Sequence, residues 1–199
     1  MDEPSILATV EQYLEGKMMT SERVMQRMFP GKKIPDLRVK WSDGGIFYCE
    51  VKSPQLVLEQ KTNLYKHDTT ISKLRQFLHT ATQQFNSVNP NHLIPNVLVW
   101  TSEHFQLNWH NFVASILGAI TVEDRSIRDL TKHGAVVRTA KDWEKVDIHI
   151  WLQLNDSGVY QQTFFCNHNI DDVARRLFDL LRLGRDGRAA GDWYEIDLS

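Results

Sequence analysis

Two acids and a lysine stand where the sequence promises strands. Asp36 belongs to the chain's single Pro-Asp step, in the run Pro35-Asp36-Leu37-Arg38-Val39-Lys40-Trp41. Glu50 and Lys52 end the run Ile46-Phe47-Tyr48-Cys49-Glu50-Val51-Lys52. Strand side chains alternate faces. Glu50 and Lys52 therefore point one way, with Phe47, Cys49 and Val51 opposite; Leu37, Val39 and Trp41 share the face opposite Asp36. Gathering such charges at one spot is costly unless another charge meets them there. A divalent cation answers that need: two carboxylates give hard oxygen ligands, a nearby backbone carbonyl a third, and water the rest. The lysine can then hold or help deprotonate an attacking water, while the metal stabilises charge on a phosphate.

Glu-x-Lys alone carries little information, because the chain holds three: Glu15-Gly16-Lys17, Glu50-Val51-Lys52 and Glu59-Gln60-Lys61. The first falls at a helix end and the third in a polar loop, where both read as solvated charge. Only the middle one lies in an apolar strand and follows Pro-Asp across a turn signal, Ser42-Asp43-Gly44-Gly45. Singly, Asp36 suits a strand start and Glu50 and Lys52 an exposed strand face; the joint pattern is what favours a site.

The turn imposes a condition. A plain four-residue loop at 42–45 would set Trp41 opposite Ile46 and Asp36 opposite Val51, facing away from Glu50. A shared site therefore requires an odd-numbered loop, with Gly44 or Gly45 at positive φ, or a bulge near Pro35-Asp36.

Around this hairpin, strands are expected at 36–41, 46–52 and 97–100, and beyond residue 120 at 146–154 and 159–165. Helices are expected from Pro4-Ser5 to Gly16, over 69–86, at about 109–119 and over 170–183; residues 20–29 suit a short helix or a strand. Ile71, Leu74, Phe77, Leu78, Ala81 and Phe85 make one apolar face of the second long helix. Along 146–154, Val146, Ile148, Ile150, Leu152 and Leu154 alternate onto one face. The order reads as a mixed α/β domain with an antiparallel hairpin.

At Pro35-Asp36 and Glu50-Val51-Lys52, with the helix and strand that follow, the chain resembles the PD-(D/E)XK nuclease superfamily over about residues 1–120. The resemblance implies a restriction-endonuclease-like core, a central mixed sheet flanked by helices. Residues 121–199 would then form a β-hairpin and helix extension packed on that core within the same domain. It implies Asp36, Glu50 and the Val51 carbonyl as ligands of Mg²⁺ or Mn²⁺, and Lys52 as the group orienting water. A helix glutamine often joins such sites; Gln84 fits best and Gln83 is the alternative. An N-terminal helix glutamate often does too, and Glu11, at mid-helix, is preferred to Glu15 and Glu22. The implied activity is hydrolysis of nucleic acid, DNA before RNA, leaving a 5′-phosphate and a 3′-hydroxyl. A homodimer or membership of a larger complex stays open.

Composition bounds the rest. With 199 residues, 42% hydrophobic and 24% charged, the chain can bury a core. No apolar run approaches the ~20 residues that a membrane helix needs, and the acidic start lacks a leader pattern. An intracellular, cytoplasmic protein is expected, the nucleus staying open. Cys49 and Cys166 read as two buried thiols. The net charge of −2 is not that of a protein coating nucleic acid, so binding would need local patches. Arg38 and Lys40 lie beside the acids. Arg175, Arg176, Arg182, Arg185 and Arg188 crowd the last helix, where a solvated face is the default and a phosphate patch the sharper reading. His67-Asp68 and Cys166-Asn167-His168 cannot fill a zinc shell alone. Trp193, Tyr194 and Ile196 suit docking on the body. Two competing readings remain: a nuclease-like fold kept as a non-catalytic binding or assembly module, and an α/β domain without metal.

Overall fold

The computed structural model describes residues 2–55, 67–117, 122–123, 126–127, 134–184 and 188–196, with backbone alone at 67–68, 117, 122–123, 126–127 and 134–138. The loop bearing Glu59 and Lys61, Arg185, and the side chains of His67 and Asp68 lie outside the described residues.

Helix α1 spans Glu3–Gly16; Asp2 caps it by accepting from the Ser5 N–H, and Ile6, Leu7, Val10 and Leu14 form its buried stripe. Strand β1 (Thr20–Arg23) and a 3₁₀ turn (Gln26–Met28) occupy the ambiguous stretch, which thus holds both kinds of structure. Then come β2 (Leu37–Lys40), β3 (Ile46–Lys52), α2 (His67–Val88), β4 (Asn96–Ser102) and α3 (Trp109–Leu117). A two-strand ribbon, β5 (Val122–Glu123) and β6 (Ser126–Ile127), precedes α4 (Gly134–Trp143). The chain continues with β7 (Ile148–Asn155), β8 (Gly158–Asn167), α5 (Asp172–Arg182) and β9 (Asp192–Ile196).

One mixed seven-stranded sheet, ordered β1-β2-β3-β4-β7-β8-β9, runs through the molecule. Strands β3, β4 and β7 are parallel; β2 and β8 run antiparallel to them. Helices cover both faces. Leu7, Val10 and Leu14 of α1 and Leu177, Phe178 and Leu181 of α5 pack on Leu37, Val39, Cys49, Val97 and Ile150. On the other face, Leu74, Leu78 and Phe85 of α2, Phe112 of α3 and Trp143 of α4 pack on Leu98, Trp100, Trp151 and Phe165. Every residue of β4 is buried, as a parallel strand covered on both faces requires.

The hairpin after residue 120 does not sit on a finished core. Strand β7 pairs with β4 beside the middle of the sheet, so both parts of the chain share one sheet. Ile148, Ile150, Leu152 and Leu154 share a face as expected, whereas Val146 precedes the strand and joins the opposite cluster with Trp143. The tail docks as an edge strand, β9 running parallel to β8. Cys49 and Cys166 are buried free thiols.

Candidate metal centre

The hairpin meets its condition through a three-residue loop. Trp41 donates its N–H to the Gly45 carbonyl (3.1 Å), and the Gly44 N–H returns to the Trp41 carbonyl (2.9 Å). Gly44 sits at φ +79°, the left-handed residue that such loops place in glycine. Leu37 then pairs with Cys49 and Val39 with Phe47. One step further, the same register sets Asp36 opposite Glu50.

The two acids are tied together. Glu50, 1% exposed, accepts the Asp36 N–H at Oε2 (3.1 Å), and Asp36 Oδ2 accepts the Val51 N–H (2.8 Å). Lys52 Nζ donates to Glu50 Oε1 and to Gln84 Oε1 (3.0 Å). Gln84 Nε2 donates to the Ile34 carbonyl (2.8 Å), so α2 braces both the lysine and the approach to Asp36. The group lies at the carboxyl end of the parallel strands, where open α/β sheets present their ligand sites.

Burial and the Asp36 carboxylate lift Glu50 from an ordinary 4.5 to about 7, against the pull of Lys52 and Gln84. Burial also raises Asp36, opposed by the Val51 N–H, Lys52 and Glu50 and reinforced by Glu3. Even beside Lys52, the pair therefore holds a proton near neutrality.

A cavity of about 300 Å³ opens beside the set, lined by Glu3, Ile6, Leu7, Asp36, Val51, Lys52, Ser53, Gln55 and Phe77. Its helix glutamate is Glu3. Glu11 is held by Arg23 (2.8 Å), Glu22 by Arg38 (2.6 Å), and Glu15 is exposed. Reading the helix as starting at Pro4-Ser5 left Glu3 outside it; the signal available was the acid placed just before a proline of the first turn. Gln83 turns instead to His79 Nε2 (2.9 Å).

Lys52 apart, the described basic residues singled out in the sequence lie away from the acids or are engaged elsewhere, Arg38 by Glu22 (2.6 Å). Lys40 sits at the loop end of the hairpin, four residues and about 13 Å of strand from Asp36. Arg176 reaches Asp43 of the same loop (2.7 Å), Arg175 pairs with Glu195 (2.7 Å) and Arg182 with Asp179 (2.9 Å). In the Cys166-Asn167-His168 run, Arg175 approaches the buried Cys166 Sγ, Asn167 donates to the Trp143 and Val146 carbonyls (3.2 and 2.8 Å), and His168 approaches Glu195.

Two hard carboxylates fit Mg²⁺ or Mn²⁺ better than a softer ion. Among the described residues no group of three or more His, Cys, Asp and Glu gathers as a metal shell, so carbonyl and water oxygens would have to complete it. Comparison with protein-family models, curated proteins and solved structures finds no match.

Proposed function

We propose that this chain is a metal-dependent nuclease with a restriction-endonuclease-like core, hydrolysing phosphodiester bonds of nucleic acid, DNA before RNA. The observation that carries the reading is the convergence of Asp36, Glu50, Lys52 and Gln84 through a hairpin register that only an odd loop or a bulge permits. Asp36, Glu50 and the Val51 carbonyl would hold Mg²⁺ or Mn²⁺. The Val51 N–H points to Asp36, and a strand residue's N–H and C=O leave on the same side. The carbonyl therefore faces the acids beyond the end of β2. The bound ion supplies charge stabilisation on the phosphate. Lys52, held by Glu50 and Gln84, is placed to orient a water and take part in moving its proton.

The test is incubation with single- and double-stranded DNA and RNA in Mn²⁺ or Mg²⁺ against EDTA. Lys52→Ala should abolish cleavage and keep metal binding, since lysine does not ligate hard cations; Asp36→Ala should lose both. Equal cleavage by wild type and Lys52→Ala would sink the mechanism. The carboxylate partners of Arg38, Arg175 and Arg176 favour a second reading, a nuclease-like module with little phosphate affinity. That reading predicts metal binding with no cleavage of any of the four substrates.

A further inference from the structure

A second feature occupies the same face and end of the sheet as the acids. Glu50 and Lys52 of β3 align with Leu98 and Trp100 of β4, and Ser102 of β4 aligns with Gln153 of β7 and, through it, Gln161 of β8. Alternation puts all of them on one face. Above Gln153 and Gln161 lies a hollow of about 230 Å³, lined also by Phe105, Asn108, Trp109 and Tyr160. Its strand, β8, is three strand spacings from β3, about 14 Å.

Two aromatic rings are exposed there by construction. Phe105 is 76% exposed, yet its loop is pinned. Gln153 Nε2 donates to the carbonyls of Ser102 and His104 (both 2.9 Å), the Leu107 N–H donates to the His104 carbonyl (3.0 Å), and Leu107 is wholly buried. Gln153 is itself fixed by the Trp151 indole N–H (3.1 Å). Tyr160, 53% exposed, is the extra residue of a β-bulge: Gln153 pairs with Gln161 and Leu154 with Val159, which leaves Tyr160 out of the ladder. Bulges re-aim side chains and cluster next to active sites. A rigid loop and a bulge thus present two rings to one hollow with an amide-rich lining.

We infer that Phe105 and Tyr160 form a stacking platform for the bases of a single-stranded nucleic acid whose backbone reaches the Asp36–Glu50 centre; the inference rests on the nuclease reading above. Aromatic faces accept any base, and the exposed amide of Gln161 can meet a base edge. Duplex bases are already stacked and offer such rings nothing.

The experiment is fluorescence anisotropy with labelled single-stranded and duplex DNA and RNA oligonucleotides in EDTA, where no cleavage intervenes. Phe105→Ala and Tyr160→Ala should each weaken single-strand binding about tenfold and leave duplex binding unchanged. Leu93→Ala, an exposed apolar residue elsewhere, is the control and should change nothing. No single-strand binding, or binding indifferent to both aromatic changes, overturns the platform, including where the hollow takes a peptide instead. The nuclease reading is scored separately by cleavage in Mn²⁺. Cleavage that ignores Phe105 and Tyr160 keeps the nuclease and removes the platform. Single-strand binding that needs both rings without any cleavage does the reverse.

Discussion

Glu50 is the residue on which stability and the proposed metal binding meet. Its folded carboxyl sits at about 7 while the unfolded one is near 4.5, so across that window the folded state holds a proton that the unfolded state has released. Stability must then fall as pH rises, by at most about 1.4 kcal/mol per pH unit; Asp36, also raised, contributes with the same sign. Thermal melts of metal-free protein from about pH 5 to pH 8 should show this decline, and Glu50→Gln should flatten it. A wild-type decline matched by the variant would place the proton elsewhere. Because a hard cation displaces that proton, Mg²⁺ or Mn²⁺ affinity should climb with pH through about 7, with proton release visible by calorimetry in buffers of different ionisation enthalpy. At 100 times its Kd the ion should then add about 2.7 kcal/mol of stability.

At the scale of the element, the hairpin joins the acids by the same pairing that joins its apolar side chains. Leu37 meets Cys49 and Val39 meets Phe47 in one core cluster, so burying them brings Asp36 to Glu50 without further instruction. Gly45 is part of that arrangement. A Cβ there would lie 2.0 Å from the Trp41 ring, which covers it. Gly45→Ala should displace Trp41, cost about 1–3 kcal/mol in denaturant unfolding and weaken Mn²⁺ binding at a centre it never touches. Full Mn²⁺ affinity in a destabilised Gly45→Ala protein would separate loop from site. The same elements mark what the sequence made legible. Alternation was enough for β2 and β3, the odd loop with Gly44 stood beside a bulge near Pro35-Asp36 as an alternative, and Ile71, Leu74, Leu78 and Phe85 were enough for α2. Strand β1 was ambiguous because its burial is slight and its partner, β2, lies across a turn and a polar loop. Helix α4 went unread because it is short and its β-branched Val136, Val137 and Thr139 suit a strand as well as a helix. Strand β9 carries exposed and half-buried positions at a sheet edge, so its aromatics suggested docking without revealing a strand. The Tyr160 bulge depends on how two strands register, which no local pattern encodes.

Taken whole, the molecule draws its central strands from both halves of the sequence. Strand β4 is flanked by β3 on one side and β7 on the other, and all of it is buried. A chain ended near residue 120 would leave the β7 edge of β4 unpaired and lose α4 and α5 from the two faces. Such a fragment should lack cooperative unfolding and bind no Mn²⁺, which circular dichroism and calorimetry can check; a folded, metal-binding fragment would show that β7 is dispensable. This pairing of β4 with β7 has a consequence for the order of events on the ribosome. The acids and the lysine are made early, within the first 52 residues, but the partner strand of β4 emerges about a hundred residues later. While a ribosome still holds the nascent chain, Asp36, Glu50 and Lys52 are present before the strand that completes the sheet around them.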